Sequence, residues 1–114
     1  MTYELKLCKE PFQAFLDGVK TIEMRLNDER RSLIKEGDYI DFTNYEDERK
    51  IHTQVKKIYH YRNFEELYKN HSKTLLGYHE NEEANPKDML RYYTQDRIDK
   101  YGVLGIEVEI ISIS

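Results

Sequence analysis

Hydrophobic and polar residues alternate in five segments of the chain, and alternation with a period of two is typical of β-strands with one buried face. The segments are residues 3–8, 21–26, 39–43, 50–61 and 104–110. The charged stretch 44–49 between the third and fourth segments predicts a hairpin. Ile58 has the opposite parity to Val55, so the fourth strand either contains a bulge or is covered on both faces.

Between these segments, apolar residues recur at intervals of three and four, which predicts short helices. In a helix over residues 29–34, Leu33 and Ile34 are expected to face inward, and in the last helix Met89, Leu90 and Tyr93 form the apolar stripe. The predicted helices cover residues 11–17 and 29–34, begin at Asn63, and run from Pro86 with a restart at Thr94 and an end at Gly102.

The order of these elements and their short connections predict an α+β fold, a small mixed and mostly antiparallel barrel with flanking helices, rather than a doubly wound parallel sheet. The chain has 114 residues, which suits a single domain over residues 1–114. Residues 75–85 follow no regular pattern and predict a mobile loop that can close over a site.

Composition and charge narrow the classes of function. No apolar run approaches the roughly 20 residues of a membrane helix, and residues 1–4 do not resemble a signal peptide, so a cytoplasmic protein with no membrane contact is expected. The formal net charge is −4, so binding to a polyanion would need a local basic patch. Cys8 is the only cysteine and the four histidines have no metal-ligand spacing, so neither a metal site nor a cofactor is predicted.

The second strand carries the strongest candidate site. Its polar face presents Thr21, Glu23 and Arg25, directly after Lys20. Arg25 offers a planar fork of donors, Lys20 offers a point charge, and Glu23 can accept from an amine. Such a set suits a nucleobase or nucleotide. The alternative is a solvated strand face on which Glu23 and Arg25 form a surface ion pair worth less than about 1 kcal/mol.

Further candidates lie outside this strand. Arg30 and Arg31 extend the positive charge and can follow a phosphate backbone, or they belong to a solvated helix face balanced by neighbouring acids. Tyr61 and Tyr78 are candidate stacking platforms for bases, whereas Tyr93 fits the apolar stripe better.

The pattern Gly18-x-Lys20-x-x-Glu23-x-Arg25 is followed by Gly37-Asp38-x-Ile40-x-Phe42 and closed by residues 102–106. In this order and spacing the motifs resemble those of the ASCH domain family, a branch of the PUA-like β-barrels, over most of the chain. The resemblance implies a small PUA-like barrel with flanking helices, a polar cleft beside the strand from Lys20 to Arg25, and a role in binding RNA or a nucleotide-like ligand.

Some members of that family are similar to acetylcytidine amidohydrolases, which use a lysine, a threonine and a later glutamate. Lys20 matches the lysine, but Glu23 stands where the threonine is expected. Three hypotheses follow: a module that binds RNA, a nucleoside or a nucleotide; an amidohydrolase acting on a modified nucleoside with Lys20 and Glu23 as catalytic groups; and a protein-interaction or regulatory domain that uses the acidic loops 46–48 and 80–83. The oligomeric state is left open.

Overall fold

The computed structural model describes residues 1–114 and contains five strands and three α-helices. Two short 3₁₀ helices lie between them. The elements are β1 (Thr2–Leu7), α1 (Lys9–Leu16), β2 (Ile22–Leu26), the 3₁₀ helix Arg31–Leu33, β3 (Tyr39–Asn44), β4 (Lys50–Tyr61), α2 (Phe64–Asn70), the 3₁₀ helix Pro86–Arg91, α3 (Gln95–Tyr101) and β5 (Val103–Ile113). No helix in this set combines the length and the apolar character that crossing a membrane requires.

The strands form one sheet in the order β1-β3-β4-β5-β2. Only the β1–β3 pairing is parallel, and the other three are antiparallel. The sheet curls into a half-barrel, which confirms the predicted α+β, mostly antiparallel barrel-like fold. β1 and β2 are the two edge strands and do not pair with each other. A seam therefore stays open between them.

Two local features of the sheet agree with the sequence prediction. β3 and β4 form the expected antiparallel hairpin. The register between β4 and β5 shifts between Val55 and Lys57, which is the bulge indicated by the changed parity of Ile58. A bulge increases the local twist of a strand, and so helps the sheet to curl.

The buried apolar residues form two clusters. In the first, α1 packs on the sheet and the rings of Phe15 and Phe42 stack at a centroid distance of 4.9 Å. In the second, the apolar residues of β2 pack against α2, α3 and the 3₁₀ helix Pro86–Arg91, through the buried residues Ile22, Met24, Leu26, Phe64, Leu67, Leu76, Met89, Ile98 and Val103. β2 is therefore covered by protein instead of lying on an open surface.

Two predicted inward positions are wrong, and both lie in or beside 3₁₀ helices. Leu33 is 61% exposed, because the predicted helix shrinks to one 3₁₀ turn after which Ile34 adopts an extended conformation and enters the core. Leu90 is 46% exposed while Met89 is buried. A 3₁₀ helix has three residues per turn, so the 3.6-residue stripe assumed from the sequence does not apply there.

Candidate functional site

A cleft of about 920 Å³ opens at the seam between the two edge strands. One wall consists of the end of β1 and the start of α1, and the opposite wall consists of β2. Residues 76–82 and 88–93 supply further lining side chains. The cleft therefore lies beside the polar strand that the sequence singled out.

A buried triad of charged side chains, Lys20, Glu23 and Arg25, lies on the β2 wall. The Oε1 atom of Glu23 is 3.3 Å from Nζ of Lys20, and its Oε2 accepts a hydrogen bond of 2.7 Å from Nε of Arg25. The three side chains are only 3%, 8% and 13% exposed. The alternative of a solvated strand face with a surface ion pair between Glu23 and Arg25 is therefore wrong.

The charges of the triad depend on one another. Burial favours the neutral form of Glu23, but the nearby Arg25 and Lys20 cations outweigh it and hold the pKa of the carboxyl below its ordinary value. Burial lowers the pKa of Lys20, although Glu23 opposes this effect. Burial by itself would lower the pKa of Arg25, but the adjacent Glu23 carboxylate has the opposite and larger effect. The pKa of Arg25 is therefore raised. Glu23 is the ionised centre that stabilises both cations.

Lys20 directs its ammonium group into the protein. Its Nζ donates to the main-chain oxygens of Ile22 at 2.7 Å and Leu76 at 2.8 Å and forms an ion pair with Glu23, so three oxygen acceptors surround the ammonium group. The main-chain oxygen of Leu75 accepts from the amides of both Thr21 and Ile22. These contacts attach the loop that follows α2 to β2. Lys20 thus positions the loop segment around Leu76 against β2 in the lining of the cleft.

Part of the predicted mobile loop, residues 75–85, lines the cleft beside Lys20. Leu76 is buried at 3% exposure, and the backbone of Gly77 passes directly over the aliphatic chain of Lys20. A Cβ atom added at Gly77 would lie 3.1 Å from Cδ of Lys20, so only glycine permits this approach without displacement. The mobility of the loop stays a prediction.

Arg25 is the member of the triad that keeps free donors. Its Nη2 donates to the main-chain oxygen of Lys6 in β1 at 2.9 Å, across the open seam. Its Nη1 makes no hydrogen bond within the chain. The guanidinium is therefore held in place at two atoms, and it lines the cleft with N–H groups that have no partner within the chain.

Tyrosines supply most of the aromatic surface of the cleft. Tyr45 and Tyr92 are 64% and 55% exposed, and Tyr93 is half-buried. Tyr78 also lines the cleft, but its hydroxyl is hydrogen-bonded to Tyr68 at 2.8 Å and to Asp88 at 2.9 Å. Burial and these two partners raise the pKa of Tyr78 far above its ordinary value.

Four of the predicted site residues do not line the cleft. Thr21 is half-buried ahead of β2, where its main chain bonds to Leu75 and Val108. Arg31 forms a close ion pair with Asp28, and Arg30 is exposed beside it. The hydroxyl of Tyr61 is hydrogen-bonded to His71 at 2.8 Å.

By contrast, the cleft includes residues that sequence reasoning missed, namely Lys6, Met24, Tyr45, Arg91 and Tyr92. Lys6 does belong to the polar face of β1, but the sequence near it does not indicate that this strand lies beside β2. Met24 belongs to the apolar face of β2, and its sequence pattern indicates only a core residue. The signal that would find them is the topology, because β1 and β2 meet across the seam only in the folded chain.

The charges lining the cleft balance. Five are cationic and five anionic: Lys6, Lys9, Lys20, Arg25 and Arg91 against Glu10, Asp17, Glu23, Glu82 and Asp88. No group of three or more His, Cys, Asp and Glu side chains has an arrangement that could hold a metal ion. The site is therefore a neutral, aromatic-rimmed cleft around one rigid guanidinium.

The chain is thus a small α+β domain with a curled, half-barrel sheet and a polar cleft at its open seam. The family follows from the sequence. The family model for the ASCH domain matches residues 5–112, so the chain belongs to the ASCH domain family. The crystal structure of hypothetical protein PH0355 is similar, with a TM-score of 0.82 and 32% identity over 97% of this chain and 100% of that one.

The solution NMR structure of protein PF0455 from Pyrococcus furiosus is also similar, with a TM-score of 0.72 and 30% identity over 98% of this chain and 99% of that one. No curated protein matches the chain significantly.

Proposed function

We propose that the cleft binds a single nucleobase, carried by a nucleoside, a nucleotide or an unpaired residue of RNA. The observation that carries the proposal is Arg25, which is 13% exposed, fixed at Nε by Glu23 and at Nη2 by Lys6, and free at Nη1 in a cleft rimmed by tyrosines. A preorganised fork of charged donors suits the acceptor atoms of a base or of its attached carbonyl.

The aromatic rim supports the same ligand class. Tyr45 and Tyr92 expose large parts of their side chains at the cleft. Stacking of a base on an aromatic side chain contributes about 1–3 kcal/mol and tolerates all bases, since each has a π-face. The hydrogen-bonding groups on β2 would then provide the selectivity that stacking lacks.

The balanced charge of the lining favours recognition of the base over recognition of phosphate. A protein that binds through phosphates concentrates Lys and Arg, and its affinity falls steeply with salt. Here each cation has an anionic counterpart in the same cleft. A nucleoside should therefore retain most of the affinity of the corresponding nucleotide.

A hydrolase acting on a modified nucleoside is the second candidate. One observation favours it, namely that burial lowers the pKa of Lys20 next to a carboxylate in the cleft wall. As a base or nucleophile, Lys20 would need a free lone pair, whereas its Nζ is surrounded by three acceptors that stabilise the protonated form. The binding function has the stronger geometric support.

The third possibility, a protein-interaction or regulatory domain, would use the acidic loops 46–48 and 80–83. These loops are exposed. Glu82 also lines the cleft, so a partner of that loop would cover the same opening.

The test is a titration of the four ribonucleosides, their monophosphates, a short single-stranded RNA and an RNA duplex against the wild-type protein, at low and at moderate salt. Binding of nucleosides and single strands with little salt dependence supports the proposal. Absence of binding by every nucleoside, or binding only of polyanions with steep salt dependence, would overturn it. Incubation with acetylcytidine and detection of cytidine tests the hydrolase candidate, provided that Lys20→Ala abolishes any turnover.

A further inference from the structure

The free edge of β2 presents one unused donor and one unused acceptor in the cleft, and both belong to the main chain of Met24. β2 pairs with β5 on one side only, and no strand pairs with its other side. In an antiparallel strand, the main-chain groups of successive residues point alternately toward the neighbour and away from it. The direction for each residue of β2 can therefore be assigned from its neighbours.

Two contacts fix that assignment. The oxygen of Thr21 accepts from the amide of Val108, so Thr21 points toward β5. Ile22 then points away, and indeed its amide donates to Leu75 and its oxygen accepts from Lys20. Alternation places the main-chain groups of Met24 on the same open side as those of Ile22.

The main-chain amide and oxygen of Met24 have no hydrogen-bond partner within the chain. No side chain donates to its oxygen or accepts from its amide, and no backbone group outside the ladder bonds to it. Within the ladder it lies opposite Gly105, whose own groups face β4. Leu26 has the same orientation, but of the two only Met24 lines the cleft.

Within the cleft, a single free donor and acceptor limit the ligand. An added β-strand needs every second residue along an edge, but here the groups of Ile22 are already taken by the loop and by Lys20. A planar ring with neighbouring donor and acceptor atoms needs only one such pair. The open edge of β2 thus suits a heterocycle or a primary amide better than a peptide strand.

We propose that the main chain of Met24 reads the pairing edge of the bound base, with its amide donating to a ring or carbonyl acceptor and its oxygen accepting from an N–H of the same edge. This inference rests on the proposed function and deepens it. Nη1 of Arg25, on the next residue of the strand, then contacts a second acceptor of the ligand. The ligand class is a nucleobase whose pairing edge is unsubstituted and unpaired.

Met24→Pro is the variant that removes the donor, because proline has no amide hydrogen. A strand tolerates proline at an edge position whose N–H does not belong to the ladder, and Glu23 before it already has the extended conformation that proline requires. Met24→Leu keeps the main chain and serves as the matched control. Thermal unfolding of both variants checks that the fold is retained.

Two measurements decide the matter. Calorimetric titrations compare each ribonucleoside, and its counterpart methylated on the pairing edge, with wild type and both variants. In parallel, amide hydrogen exchange is followed by NMR at Met24 and Arg25, with and without the ligand. We expect edge methylation to weaken binding about tenfold, Met24→Pro to bind about tenfold more weakly than Met24→Leu, and the Met24 amide to exchange faster than that of Arg25 until the ligand protects it.

The failures are distinguishable. If nucleosides bind with equal affinity to Met24→Leu and a folded Met24→Pro, or if methylated bases bind as well as the parents, the role of Met24 is overturned while the proposed function stands. If Met24→Pro does not fold, the exchange data alone decide, and a Met24 amide that the ligand leaves unprotected overturns the role. If no nucleoside binds wild type, both proposals fall.

Discussion

Arg25 in β2 donates a hydrogen bond of 2.9 Å to the main-chain oxygen of Lys6 in β1, and so joins the two edge strands of a sheet that does not close. The same guanidinium is held by Glu23, which in turn pairs with Lys20. The Glu23 carboxylate therefore holds both cations in place. One of them, Arg25, spans the seam, and the other, Lys20, attaches the loop at Leu76 to β2.

Glu23→Gln should destabilise the protein strongly. The carboxylate is buried and neutralises two cations that are themselves buried. Removing one partner of a buried ion pair typically costs about 3–5 kcal/mol, because the remaining charge is left without compensation. Urea unfolding measures the change in the free energy of unfolding.

Glu4→Gln is the matched control for that substitution. Glu4 is 3.3 Å from Nζ of Lys50, the same distance that separates Glu23 from Lys20, but its side chain is 69% exposed. An exposed pair contributes less than about 1 kcal/mol. Equal losses in the two variants would mean that burial of the triad does not determine its contribution.

The stability of the protein should fall at acid pH in a way that depends on Glu23. Its pKa is lowered in the folded state, so the folded protein binds the proton less tightly than the unfolded chain does. The stabilisation is complete above the ordinary pKa of 4.5 and is lost as pH falls through the lower folded value. Unfolding of wild type and Glu23→Gln between neutral pH and acid should therefore converge, and parallel curves would contradict this account.

Gly77→Ala should cost more than Gly37→Ala. Both glycines have positive φ angles, +110° and +90°, so alanine is strained at each by about 1–3 kcal/mol. Only at Gly77 does the new Cβ meet another group, the chain of Lys20, which cannot move away while its ammonium keeps three acceptors.

The difference between the two glycine variants measures how rigidly Lys20 is held. Overpacking in a tight region adds about 1–3 kcal/mol to the strain. Thermal unfolding of both variants gives the comparison. If Gly77→Ala is no more destabilising than Gly37→Ala, then Lys20 is free to adjust, and its positioning role is wrong.

The sequence predicted what depends on local pattern. The alternation in β5, the hairpin of β3 and β4 and the bulge near Val55 follow from periodicity over a few residues, and the structure has all three. Leu33 and Leu90 were misplaced because short 3₁₀ helices change the period from 3.6 to 3.

The candidate site was predicted only in part, since its decisive features are not local. The pattern identified the polar residues of β2, but it could not show that a loop more than fifty residues later covers Lys20. Tyr45 and Lys6 reach the cleft because β1 pairs in parallel with β3 and so ends opposite β2. Such placements follow from the strand order, which the sequence pattern does not contain.

The most direct test is a calorimetric titration of the ribonucleosides into wild type, Arg25→Gln and Arg31→Gln. Arg25 lines the cleft with a free Nη1, whereas Arg31 lies outside it and is paired with Asp28. Loss of a charge-assisted hydrogen bond of about 1.5–3 kcal/mol predicts binding weaker by about ten- to a hundredfold for Arg25→Gln, with wild-type affinity for Arg31→Gln. Unchanged affinity in Arg25→Gln, or a loss confined to Arg31→Gln, would contradict the placement of the site.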